Sequence, residues 1–141
     1  MLEISNISKS FHKKTALDSV SIKIEAGEIF GLLGPNGAGK TALIRIINKI
    51  IEPDYGFIKF KGDVLSQKHL AEIGYLPEER GLYKNMTVEA HALFLGQLRG
   101  LSKSDVKSKL DYWLEKFQIQ DWKKKRIEEL SKGMAQKVQF I

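Results

Sequence analysis

The residues best suited to chemistry lie in one run, Gly34-Pro35-Asn36-Gly37-Ala38-Gly39-Lys40-Thr41, which fits the spacing G-x-x-x-x-G-K-[ST]. Gly37 and Gly39 carry no Cβ, so the backbone can turn its N–H groups inward toward an anion. Leu43, Ile44, Ile46, Ile47 and Ile50 then recur at helical spacing. A helix there points the positive end of its dipole at the same place. Lys40 adds a mobile ammonium, and one charge pair at ~4 Å in an effective dielectric near 20 is worth about 4 kcal/mol before desolvation is subtracted. Thr41 offers a hydroxyl where Mg²⁺ can bind between phosphate oxygens, and Ala42 lies in the same first helical turn. A plain glycine-rich turn with an exposed lysine shares these letters. It does not require a strand before it and an apolar-periodic helix after it, so the run is read as a cradle for a nucleoside triphosphate.

Such a cradle must be held by regular elements on both sides. Val20, Ile22 and Ile24 alternate with Ser21, Lys23 and Glu25, which predicts a strand with one buried and one wet face. Ala26-Gly27 makes a turn, and the apolar run Glu28 to Leu33 is expected to form a strand covered on both faces. Pro53-Asp54-Tyr55-Gly56 ends the helix after the cradle, and Phe57 to Lys61 resumes period two. Ile73 to Leu76 reads as a further short strand closed by Pro77. From Thr87 the pattern is helical: Thr87 caps a helix to about Arg99, and Gly100 ends it. Ser102 with Asp105 resembles a capping box opening a helix whose apolar stripe is Val106, Leu110, Trp113, Leu114 and Phe117. The order predicts an α/β or mixed architecture.

Composition narrows the classes. With 141 residues, 43% apolar and 28% charged, the chain fits one soluble domain. No apolar run approaches the ~18 residues of a membrane span, and the N-terminus lacks the apolar core of a secretory signal. The absence of Cys excludes disulfides, thiolate metal sites and a thiol nucleophile. A net charge of +6 favours anionic partners: nucleotides, nucleic acid or a membrane surface. His12, His69 and His91 have no ligand spacing and read as surface or partly packed residues. Lys123-Lys124-Lys125-Arg126 reads as a solvated run, and Trp113, Phe117 and Trp122 as packing between helices.

A second motif narrows the family. Leu130-Ser131-Lys132-Gly133-Met134 resembles the signature sequence of ATP-binding-cassette (ABC) ATPases, usually LSGGQ, and lies beyond a helical insert downstream of the phosphate loop, as in that family. By itself the pentapeptide reads equally as a helix N-cap, with Ser131 satisfying free amides. The resemblance implies that Ser131 and Gly133 grip the γ-phosphate of an ATP held by another subunit. Phe11 lies 23 residues before Gly34, where the family keeps an aromatic that stacks on adenine. A ring face suits that task with little geometric demand, while a core Phe at a strand end is the alternative. In Tyr75-Leu76-Pro77-Glu78-Glu79-Arg80-Gly81-Leu82-Tyr83, which resembles the family's Q-loop, Glu78 stands where a Mg²⁺-sensing Gln is usual. Glu78 is thus a candidate metal ligand beside Thr41, or a solvated loop acid.

The resemblance spans essentially the whole chain and implies an α/β fold: an incomplete P-loop NTPase core with an N-terminal antiparallel β subdomain and an α-helical insert. The expected segments are 1–33 for the β-rich start, 34–86 for the P-loop core, 87–129 for the helical subdomain, and 130–141 for the signature and following helix. The family's Walker B strand, its Mg²⁺-binding Asp, the catalytic glutamate and the switch histidine would all follow Ile141. The chain is therefore expected to be a shortened form of a longer ATPase subunit, with negligible ATP hydrolysis alone and a tendency to aggregate. The implied cofactors are ATP and Mg²⁺. The implied partners are a second ATPase subunit and a membrane permease, at the cytoplasmic face of the cell membrane, with no nucleic acid expected. A soluble ABC ATPase acting on nucleic acid or the ribosome, and a nucleotide-binding module that never hydrolyses, are the alternatives. A GTPase is disfavoured because no Asn-Lys-x-Asp motif is present.

Overall fold

The alternation at the N-terminus produces a hairpin of β1 (Leu2–Phe11) and β2 (Lys14–Ile24). The structure, a computed structural model, describes residues 1–12, 14–77 and 81–141. It divides into two compact units, Met1–Tyr75 and Leu76–Ile141, each with its own core.

In the first unit, β3 (Tyr55–Phe60) and β4 (Asp63–Val64) complete a four-stranded antiparallel sheet of order β2-β1-β3-β4. Register places Ile4 opposite both Ile22 and Ile58, and Leu2 opposite both Ile24 and Phe60. One face therefore collects apolar side chains, and Ile4, Ile7, Leu17 and Ile58 are buried there. Helix α1 (Lys40–Ile47) adds Leu43 and Ile46 to the same core. Each such buried side chain is worth roughly 1.5–3 kcal/mol relative to exposure. The helix ends earlier than the apolar period implied. Asn48 is its C-cap, and Lys49 follows at φ 50°, which excludes Ile50 from the helix.

Two expected strands are absent. Glu28 to Leu33 and Ile73 to Leu76 form no strand. A strand exists only by pairing, and no described strand hydrogen-bonds to either segment. Nor is the first run covered on both faces: Ile29 is 99% exposed and Leu33 92% exposed.

The second unit is helical. Thr87 accepts a hydrogen bond from Ala90 N and caps α2 (Val88–Leu98), after which Gly100 turns the chain. Ser102 accepts from Asp105 N at the start of α3 (Lys103–Lys116). At Gly96, α2 approaches α3 so closely that a Cβ would collide with Val106. Val88, Leu110, Leu114, Ile119, Ile127, Leu130, Ala135 and Val138 form the core, the last two from α4 (Lys132–Phe140). Trp113 stacks on Phe117 at 5.7 Å and Phe140 meets both edge-on, so these aromatics pack helices together as expected. The basic run is ion-paired rather than simply solvated: Lys123 meets Asp111 and Glu89, Lys125 meets Asp121, and Arg126 meets Glu128. His69 and His91 are buried, each at the edge of an aromatic neighbour, Phe60 and Tyr83 respectively.

Candidate nucleotide site

Gly34 to Ala42 lies in the first unit as a turn leading into the first turn of α1. Gly39 is the N-cap residue, at φ 85° in the left-handed region. An L side chain would be strained there, and a Cβ would collide with the Ala16 carbonyl oxygen and come within 2.8 Å of Leu17 Cδ2. Only glycine allows the loop to lie this close to β2. Gly37 is also left-handed, at φ 83°, but its Cβ position faces open space.

These conformations leave donors free. Ala38 N donates to Pro35 O and Leu43 N to Gly39 O. Among the described residues, no protein acceptor takes the N–H groups of Gly37, Gly39, Lys40, Thr41 or Ala42. These amides belong to one loop and the helix end that follows it, and no acid stands in the first turn of α1. The combination of unpaired N–H groups and a positive helix end is an anion cradle. The Lys40 ammonium folds back over the loop, donating to Gly34 O at 2.6 Å and Pro35 O at 2.7 Å. Pro35 and Asn36 are exposed on the same turn, and the Thr41 side chain begins the helix on its exposed side.

Phe11 ends β1 with 44% of its surface exposed, which removes the alternative of a core residue. The sheet register connects it to the loop. Gly39 abuts Ala16 and Leu17, and Leu17 pairs with Lys9, two residues before Phe11. The Lys9 ammonium sits over the Phe11 ring at 5.7 Å and also meets Asp54 Oδ1 at 2.7 Å. Asp54 Oδ2 accepts from Ser10 N at 2.7 Å. Hydrogen bonding to Lys9 and then to Ser10 N holds the Asp54 carboxyl below its ordinary range. The role of Lys9 and Asp54 here was not apparent from the motifs. Lys9 and Phe11 share a strand face by their spacing, whereas the partnership with Asp54 depends on the pairing of β1 with β3.

Ser131 and Gly133 lie in the second unit. Ser131 is the N-cap of α4, its Oγ accepting from Met134 N at 3.3 Å, and Gly133 is exposed in the first turn. The capping reading is therefore realised, and both residues remain accessible. Glu78 lies outside the described residues. Among the described residues no three His, Asp or Glu side chains converge as a metal cage. A hard cation would fit beside Thr41 only with oxygens brought by a phosphate chain.

Comparison with known proteins identifies the family. The chain is similar to an ABC transporter ATP-binding protein of Methanocaldococcus jannaschii, 46% identical over 140 residues, covering 99% of this chain and 50% of that protein. It is also similar to the linearmycin resistance ATP-binding protein of Bacillus subtilis, 36% identical over 141 residues, covering 98% of this chain and 45% of that protein. A solved ATP-binding subunit of an ABC transporter superposes with a TM-score of 0.83 at 30% identity, covering 98% of this chain and 59% of that one. The chain thus spans about half the length of the curated relatives it matches. The sequence model described as ABC transporter matches residues 17–141, from β2 through the phosphate loop to the signature helix, and the chain belongs to that family.

Proposed function

We propose that this chain is the nucleotide-binding portion of the ATP-binding subunit of an ABC transporter. The observation that carries this reading is the unpaired amide cluster of Gly37 and Gly39 to Ala42, with Lys40 folded over it. The triphosphate lies along the amides, and Lys40 exchanges its two carbonyl acceptors for phosphate oxygens, a stronger charge-assisted contact. Thr41 would offer its hydroxyl to Mg²⁺, which would supply charge neutralisation of the phosphate oxygens. Phe11 receives the adenine on its exposed face. In the complete protein, Ser131 and Gly133 meet the γ-phosphate of an ATP held by a second subunit, and closure drives a membrane permease.

Two further observations support a transporter subunit. A groove of about 450 Å³ in the second unit is lined by Leu82, Ile127, Leu130 and Ala135 with Lys84 and Glu128, an amphipathic surface suited to a permease segment. No helix of the described residues is long and apolar enough to cross a membrane, and in this reading a permease carries the subunit at the cytoplasmic face of the membrane. Ion pairing of Lys123, Lys125 and Arg126 argues against a phosphate-backbone-reading patch there. Calorimetric titration of Lys40→Ala with Mg-ATP tests the assignment. The variant should bind ATP weaker by about 2–3 kcal/mol or more, the worth of a lost charge-assisted contact, with an unchanged circular dichroism spectrum. Undiminished affinity would refute the cradle.

A further inference from the structure

We propose that Asp54, acting through Lys9 and Ser10, is a positioning residue that presents the Phe11 ring to the purine base. The inference rests on the reading of Phe11 as the base platform and assigns what holds it. The ladder between β1 and β3 ends at Ser8 opposite Tyr55, so on this side no strand accepts from Ser10 N. The Asp54 carboxylate takes its place: Oδ2 accepts from Ser10 N at 2.7 Å, and Asp54 N donates back to Ser8 O at 2.9 Å. The turn is pressed against β1 at Gly56, whose φ is 87° and where a Cβ would lie 2.5 Å from the Asn6 carbonyl oxygen. The carboxylate therefore extends the bonded edge of β1 from Ser8 to Ser10, the residue that precedes Phe11.

The other oxygen acts on the ring itself. Lys9 Nζ, 2.7 Å from Asp54 Oδ1, is held over one face of Phe11 at 5.7 Å. Its side chain is only 18% exposed, so the ammonium is confined between carboxylate and ring. A cation on one face is attracted to the ring quadrupole and fixes the ring plane. The opposite face is left for a base, consistent with the ring's 44% exposure. Without Asp54 the ammonium returns to water, and the end of β1 at Phe11 is held from the β2 side alone.

The test compares two probes on the full chain, Mg-ATP and Mg-tripolyphosphate, which has the anion but no base. Phe11→Ala should weaken ATP by about tenfold or more, the usual worth of one base–aromatic stack, without affecting tripolyphosphate. Asp54→Ala should weaken ATP about threefold to tenfold and also spare tripolyphosphate. Asp54→Asn, which keeps an acceptor for Ser10 N but not the charge for Lys9, should fall between. In the double variant Phe11→Ala/Asp54→Ala the two losses should not add, because both act on one ring. Equal loss of both probes in Asp54→Ala, unchanged ATP affinity, or full additivity with Phe11→Ala would each overturn the proposal. If the parent chain bound neither probe, the cradle itself would be refuted. Tight tripolyphosphate binding with no preference for ATP would refute only the Phe11 platform and what positions it.

Discussion

Ser131 performs one task visibly and is proposed for another, and substitution separates them. As the N-cap of α4 it satisfies Met134 N, so Ser131→Ala should lower stability by about 1 kcal/mol, read from urea unfolding. Ser131→Asp caps equally well and should recover most of that loss. It also sets a carboxylate where an incoming γ-phosphate must approach, so ATP-linked association measured by sedimentation should still fail. Recovery of both properties in Ser131→Asp would leave Ser131 a cap and nothing more. Residues of this kind were legible in the sequence because their roles are local: Lys40, Thr41, Thr87, Ser102 and Ser131 each act within a few positions of themselves, whereas the close approach of Gly39 to Ala16 and Leu17 of β2 was not. Asp54 was legible only as part of a turn. Its partners Lys9 and Ser10 are far away in sequence and meet it through the register of β1 with β3.

At the scale of elements, helices were readable from their caps and periods, whereas strands were readable at residues 20–24 and 57–60, where alternation marks one buried face. They were not readable at the short apolar runs, because pairing partners are not written into a strand. Val20 to Ile24 alternates and pairs; Glu28 to Leu33 has the composition of a buried strand and pairs with nothing described. On α2 the sequence also left unforeseen that His91 is buried, 4% exposed, with no partner for Nε2 among the described residues. Burial pushes its pKa below the ordinary 6.5, and a hydrogen bond with the Gly81 backbone pulls it partly back. The folded protein therefore takes up this proton at lower pH than the unfolded chain does. The contribution of neutral His91 is complete above about pH 6.5 and drains away as pH falls from there through the folded pKa. Asp54, Glu25 and Glu72 are held below their ordinary values by Lys9, Lys23 and Lys61. Their contributions persist until pH approaches 3.8 for Asp54 and 4.5 for the two glutamates. The two windows are separable. Urea midpoints measured against pH should show that His91→Phe flattens the slope that sets in below about pH 6.5 and leaves the carboxylate loss that begins near pH 4.5. An unaltered slope in the upper window would remove His91 from the account.

For the whole molecule, the decisive property is what the two cores leave uncovered. Ile7, Leu43 and Ile46 are almost fully buried in one core and Val88 and Leu114 in the other, so each unit has a tightly packed centre. Yet Ile29 and Leu33, in the run that leads into the phosphate loop, are almost completely exposed, and Phe30 between them is 44% exposed. An apolar segment of high β propensity with open backbone donors and acceptors is a template for another chain. This chain should therefore self-associate through Glu28 to Leu33, binding a hydrophobic dye and losing solubility as concentration rises. The variant Ile29→Lys/Leu33→Ser should suppress both effects, since it charges the segment and removes no buried contact. Because Gly34 and the amides after it are untouched, tripolyphosphate affinity should stay within about twofold of the parent, a surface-sized effect. Light scattering and calorimetry on the same samples decide the matter. If the variant aggregates like the parent, the association surface lies elsewhere; if it loses tripolyphosphate, the run supports the cradle as an element and is more than an uncovered edge.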